Sequence, residues 1–390
     1  MPKRNAHGSG TIRQRKDGTW EARYTVGRDP GTGKQVQKSI YGKTQSEVLV
    51  KLQAVQHDIN TGTYTDPTKM TVGQWLDEWL EDYPGDVKER TLNEYKGVVA
   101  HRIKPGIGNV KLADLNTQSI QRFYNTCLRG TKDKKAISAK TTRNLHGVLH
   151  KALEQAVDLG YIRINPATKC KLPRVEKPEI KPLDDSHISA FLQAISGNRF
   201  ELVFTVDLFT GMRQGEILGL SWKSVDLKDG TITINQQLQL IKGQYKIVPT
   251  KNDRIRKITP APYIMQLLRQ RKARQAADQL RAGTAWDNPW KLVFTDELGK
   301  HYARQTVYGN FKRIVRKIGI DESRFHDLRH SYAVASLQSG DDIKTLQENL
   351  GHHAAGFTLD IYGHVSEKMK QESSQRMERY IKSVTTENKA

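Results

Sequence analysis

Twelve residues near the middle of the chain forbid one continuous core. Lys171–Pro182 reads Lys-Leu-Pro-Arg-Val-Glu-Lys-Pro-Glu-Ile-Lys-Pro, with prolines at 173, 178 and 182 and alternating charge. Each proline lacks a backbone donor and fixes its own φ, so neither a helix nor a central strand passes through. The segment reads as an extended linker, and a chain of 390 residues broken there is multidomain.

Two stretches of different period precede the linker. In residues 1–66, Gly10–Arg15, Thr19–Val26 and Gln35–Tyr41 read as short strands, with turns at Lys16-Asp17-Gly18 and Asp29-Pro30-Gly31-Thr32-Gly33. Thr44 and Glu47 form a capping-box pattern that opens a helix through Leu49, Leu52 and Val55. So small and basic a module suits a DNA reader or a protein adaptor. Residues 70–170 read as a four-helix domain. Val72, Trp75, Leu76, Trp79 and Leu80 share one face after Thr71 as N-cap. Further helices are expected at Glu89–Arg102, stopping before Pro105-Gly106, at Gln118–Leu128, and through Leu145, Val148, Leu149, Leu153 and Ala156. Lys140, Arg143 and Lys151 are phosphate-contact candidates or plain surface charges. Trp75 and Trp79 could stack on bases, but their helical spacing favours the core.

Charge narrows the partners. The formal net charge is +21 and the pI about 9.8, which puts nucleic acid first. No apolar run approaches the length of a membrane span, and the start, Met1-Pro-Lys-Arg-Asn-Ala-His, has no apolar signal core. Two cysteines, Cys127 and Cys170, make neither a disulfide framework nor a four-thiolate site. The expected setting is cytoplasmic and bacterial, without a membrane partner.

From Leu183 to residue 390 a further domain is expected, mostly helical. A β-hairpin stretch interrupts it: Thr231–Leu240, a turn at Lys242-Gly243-Gln244, Tyr245–Pro249, then Arg256–Ile258. Cutting a DNA backbone needs a nucleophile, a clamp for transition-state charge and an acid for the leaving oxygen. Protein cations can supply the last two. Three clusters in this domain offer that set. In Thr210-Gly211-Met212-Arg213-Gln214-Gly215-Glu216, Thr210 could cap a helix with Arg213 in its first turn, where an anion is welcome. A purely structural Arg213–Glu216 pair is the alternative. In Arg324–Tyr332, His326 and Arg329 are spaced to share a helical face and suit a phosphate. His326 and His330 also have zinc-helix spacing, but Asp327 stands where the glutamate should be and Arg329 would repel an ion. The third cluster is Leu350-Gly351-His352-His353, followed by Tyr362-Gly363-His364. A tyrosine has an ordinary pKa near 10 and needs a base and cations around it to act as a nucleophile.

Together these clusters resemble the tyrosine recombinase family, the lambda-type phage integrases and conjugative-transposon integrases. The family pattern is an arginine in a T-G-x-R-x-x-E box, a hairpin lysine, H-x-x-R, L-G-H, and a tyrosine nine or ten residues on. Arg213, His326, Arg329, His352 and Tyr362 match it in order, and Lys251 is the best fit to the hairpin lysine, with Arg254, Arg256 and Lys257 close by. The resemblance spans the chain and implies a mainly α fold with small β-sheets. Residues 1–66 would be an arm-site DNA-binding domain (a three-stranded sheet plus helix), 70–170 a helical core-binding domain, 171–182 a linker, and 183–390 a mixed α+β catalytic domain with a C-terminal helical tail.

It also implies that Tyr362 forms a 3′-phosphotyrosyl link, with no cofactor and no metal. Arg213, Arg329 and His352 would hold the phosphate, His326 would take a proton, and Lys251 would give one. Expected partners are double-stranded DNA, three further copies in a homo-tetramer, and an excisionase or host DNA-bending protein. The tail, Val365–Val384, either packs on its own domain or docks on a neighbouring copy. The competing functions are a type IB topoisomerase, a non-catalytic DNA-binding regulator and a metal-dependent nuclease. Gly31-Thr32-Gly33-Lys34 hints at a phosphate loop, but Arg28 and Gln35 break that pattern and leave a hairpin turn.

Overall fold

The structure, a computed structural model, describes residues 10–28, 31–61, 64, 69–131, 133–176, 181–250, 254–351 and 367–386. The chain divides into two compact units, residues 1–176 and 177–390.

In the first unit, β1 (Thr11–Gln14), β2 (Trp20–Arg28) and β3 (Gln35–Gly42) form an antiparallel sheet in that order, followed by α1 (Gln45–Asn60). Period-two alternation turns Ala22 and Tyr24 toward Val48 and Leu52 of α1, which makes a small core. Gly42 is required there, because a Cβ would lie 2.7 Å from Val48 Cγ2. The α1 capping box is only half formed. Glu47 N–H donates to Thr44 Oγ1 (3.2 Å), but the Glu47 carboxylate reaches back one residue further, to Lys43 N. The segment Gly31–Lys34 lies in the connection between the paired strands β2 and β3.

The helical block begins with α2 (Val72–Asp82), whose Thr71/Gln74 capping box is complete. After α3 (Glu89–Val98) the chain does not stop before Pro105 as expected. It runs through a π-helical turn, Val99–Ile103, into the short α4 (Lys104–Ile107). In that wider turn Lys104 N–H already donates five residues back, to Val99 O, so the helix continues past a residue with no donor. Next come α5 (Thr117–Arg129) and α6 (Ala139–Asp158). Trp75 and Trp79 are buried with Leu76, Tyr124, Leu149 and Leu153, and Trp75 Nε1 donates to Ala152 O at 2.9 Å. The tryptophan stripe is therefore core. Arg143 Nε donates to Pro173 O, and the Lys151 ammonium lies 5.8 Å from the centre of the Tyr95 ring.

The second unit contains α7 (Asp185–Ile195), α8 (Glu201–Thr210), α9 (Gln214–Leu218), α10 (Pro262–Ala282), α11 (Arg304–Lys317), α12 (Phe325–Gln338), α13 (Ile343–Leu350) and α14 (Glu367–Thr386). Phe191, Phe204, Phe311 and Phe325 interlock at its centre with ring centroids 5.5–6.1 Å apart. The expected strand Thr231–Leu240 breaks at Asn235. Its first part, β5 (Thr231–Ile234), lies between β4 (Val225–Asp226) and β8 (Arg256–Ile258). Its second part, β6 (Gln236–Ile241), pairs with β7 (Gln244–Pro249). Lys242 and Gly243 have φ of 50° and 77°, the twist a two-residue hairpin turn demands. No helix among the described residues is long and apolar enough to cross a membrane.

Candidate active site

The first cluster folds differently from expectation. Thr210 is the last residue of α8, and its Oγ1 donates backward to Val206 O at 2.6 Å, so it does not cap the next helix. Gly211, in the left-handed region at φ 60°, ends α8, and a Cβ there would lie 2.4 Å from Tyr332 Cδ1. Arg213 is then the N-cap of α9 rather than part of its first turn. Both sequence readings of its partner coexist. Arg213 Nη1 donates to Glu216 Oε1 at 2.8 Å and Arg213 N to Oε2 at 3.0 Å, while 28% of the Arg213 side chain stays exposed.

Glu216 is itself 1% exposed and holds a second guanidinium. Arg256 Nη1 and Nη2 fork onto its two oxygens at 3.2 and 2.6 Å. Burial alone would push the Glu216 pKa up, but Arg256 first and Arg213 second outweigh it and bring it down to about 2. Arg256 Nε donates to Asn349 O at 2.8 Å, in the last turn of α13. α13 ends in the left-handed Gly351, one residue before His352.

The second cluster opens α12. Arg324 and Asp327 make its capping box. Arg329 is only 1% exposed and donates Nη1 to Gly211 O and Nη2 to Leu350 O, so it stitches the turn before Arg213 to the turn before His352. His326 opens to solvent on one side, yet its pKa is pushed down to about 4. Burial is the main cause, followed by the neighbouring His330 and the cations Arg329 and Arg213. The ring is neutral at neutral pH and able to accept a proton. His330 stands edge-on to it, with ring centroids 4.8 Å apart.

The site thus brings together Arg213, His326 and Arg329, and leads directly to His352. Lys251, His352 and Tyr362 lie outside the described residues, and Thr250 Oγ1 donates to Arg254 O. A cleft of about 310 Å³ opens here, lined by the cations Arg213, Arg254, Lys257 and Lys344, by Glu348, and by Arg256, whose charge is already paired with Glu216. Such a surface suits a polyanion.

Sequence reasoning missed two residues. Arg256 entered only as a source of register ambiguity, although alternation with Ile258 along β8 already pointed it inward. Asp207 went unnoticed inside the apolar run Leu202–Phe209. Its carboxylate is 1% exposed and has no hydrogen-bond partner, and burial raises its pKa well above the ordinary value.

Comparison with known proteins places this geometry. The model of the phage integrase family matches residues 181–369, and that of the phage integrase N-terminal SAM-like domain matches residues 71–128. A XerC-like tyrosine recombinase of Caldanaerobacter subterraneus is 30% identical over 366 residues, covering 89% of this chain and 92% of that protein. The ICEBs1 integrase of Bacillus subtilis is 21% identical, covering 94% and 99%. Among solved structures, the Tn1549 transposon integrase in complex with circular-intermediate DNA aligns with a TM-score of 0.65 at 20% identity, covering 79% of this chain and all of that one. A lambda integrase dimer bound to a core site aligns with a TM-score of 0.55 at 19% identity, covering 94% and 99%. Full-length similarity at this level leaves one assignment: the chain belongs to the phage integrase family of tyrosine recombinases.

Proposed function

We propose that this chain, a site-specific DNA recombinase of mobile elements, cuts and rejoins DNA through Tyr362. The tyrosine oxygen attacks the scissile phosphorus while the bond to the 5′-oxygen breaks, leaving a 3′-phosphotyrosyl ester and a free 5′-hydroxyl. Arg213 and Arg329 hold the non-bridging oxygens, and His352 donates a further hydrogen bond. His326, neutral at neutral pH, takes the tyrosine proton. Lys251 protonates the departing 5′-oxygen. The ester conserves the energy of the broken bond, so a second strand's 5′-hydroxyl reverses the step without ATP.

The observation that carries this reading is the clustering of Arg213, Arg329 and His326, with Arg329 also bonded to the Leu350 carbonyl just before His352, beside a cation-lined cleft. The chemistry needs no ion, since protein cations neutralise the transition-state charge.

In the same reading residues 1–66 bind arm-site DNA, 70–170 bind the core site, and 183–390 carry the chemistry across the 171–182 linker. Four copies assemble on DNA, as a lambda integrase does on a Holliday junction. An excisionase or a host DNA-bending protein directs the reaction. The α14 helix supports assembly, because it exposes Met377, Tyr380 and Ile381 at the spacing of one helical stripe, which a neighbouring copy would cover. The test is strand exchange between two element ends in excess EDTA. Wild-type protein exchanges strands, and Tyr362→Phe binds DNA but forms no covalent complex. Relaxation of supercoils without exchange would favour a topoisomerase, and loss of activity in EDTA a metal nuclease.

A further inference from the structure

We propose that Arg256 is a positioning residue for strand cleavage: it fixes Arg213 through Glu216 and fixes the approach to His352 through Asn349. The inference rests on the reading of the site given above.

Arg256 occupies a three-residue strand whose neighbours Ile255 and Lys257 are exposed, yet its own side chain is 9% exposed. It faces inward with Ile258, where an unpaired cation would be costly. Three of its donors are spoken for: Nη1 and Nη2 by Glu216, and Nε by the Asn349 carbonyl. Its stem packs against Gly351, where a Cβ would lie 3.0 Å from Arg256 Cδ and φ is +62°. These bonds tie it to the carboxylate that holds Arg213 and to the last turn of α13, which gives it a supporting place beside the cleft.

The bonds form one continuous path. Glu216 binds Arg213 through both its backbone N–H and Nη1, and binds Arg256 through the fork. Arg256 in turn reaches Asn349 in the last turn of α13, which Gly351 and His352 follow in sequence. The Arg256 charge offsets that of Glu216, so the carboxylate orients Arg213 while the cleft keeps a positive surplus. Arg213 and the last turn of α13, distant in sequence, thereby share one scaffold. A lysine at 256 would keep the charge and lose the fork, because one ammonium cannot span two carboxylate oxygens and a carbonyl in fixed geometry.

The experiment uses the full chain and a nicked suicide DNA carrying the element end, at saturating protein, with the rate of covalent-complex formation and the DNA affinity measured separately. Arg256→Gln is expected to slow complex formation by about 100-fold, the scale of a misplaced clamp, with affinity within about threefold of wild type. Arg256→Lys is expected to stay at least about tenfold slow at unchanged affinity. If Arg256→Gln fails to fold, the lysine variant decides alone. Arg256→Lys at the wild-type rate overturns the proposal, as does an Arg256→Gln defect explained wholly by weaker binding. A wild-type protein that forms no covalent complex refutes instead the function proposed above.

Discussion

Glu216→Gln tests the architecture of the site at a fully buried charge. In the native protein this carboxylate receives two guanidiniums, and they hold its pKa at about 2 against an ordinary 4.5. That gap corresponds to about 3 kcal/mol in favour of the ionised form. The folded pKa is the lower one, so the contribution is fully present above pH 4.5 and is lost as pH falls toward about 2. Glutamine has the shape of the carboxyl group without its charge and leaves both arginines facing a partial dipole. The expected cost at pH 7 is about 3–5 kcal/mol, the range for breaking a buried pair from one side. Pulse proteolysis across a urea series, following the fragment that contains residues 177–390, reads this stability in the intact chain. The difference between wild type and variant should hold from pH 7 to pH 5 and shrink below about pH 4. A loss under about 1 kcal/mol at pH 7, the value of an exposed ion pair, would refute the reasoning.

Trp75→Ala should destabilise the first unit by about 3–5 kcal/mol, because it empties a buried indole site and removes the Nε1 bond to the Ala152 carbonyl; a nearly neutral result in urea unfolding would return Trp75 to the surface as a base-stacking residue. Asp207→Asn should flatten the pH dependence of stability. The folded pKa of this carboxyl lies above its unfolded value, so wild-type protein loses stability as pH rises above about 3.8. The asparagine variant should be the more stable one at pH 8, and an unchanged slope in unfolding measurements from pH 5 to pH 8 would contradict the burial argument.

Most of the architecture was legible because the signals are local. Thr71 before Val72 caps α2, and the spacing of Trp75, Leu76 and Trp79 gives its buried face. The failures occurred where one residue serves two elements or where tertiary packing overrides a local sign. Thr210-Gly211 reads as a helix start, whereas the left-handed Gly211, packed against Tyr332, makes it a helix end. Pro105-Gly106 reads as a stop, and a π turn just upstream carries the helix past it. His326 and Arg329 read as a pair on one helical face, and nothing local shows that Arg329 is buried against carbonyls of residues 211 and 350, far away in sequence. Motif order supplied the candidate residues; the Glu216–Arg256 scaffold that holds Arg213 is a product of the fold.

Everything returns to the identity of the nucleophile. Full-length protein incubated in excess EDTA with nicked suicide DNA carrying an element end should form one covalent complex. Protease digestion and mass spectrometry of the DNA-bound peptide should find a 3′-phosphate on Tyr362. An adduct on Tyr302, Tyr308, Tyr332 or Tyr380, a 5′ linkage, or a complex that appears only with added divalent metal would contradict the account.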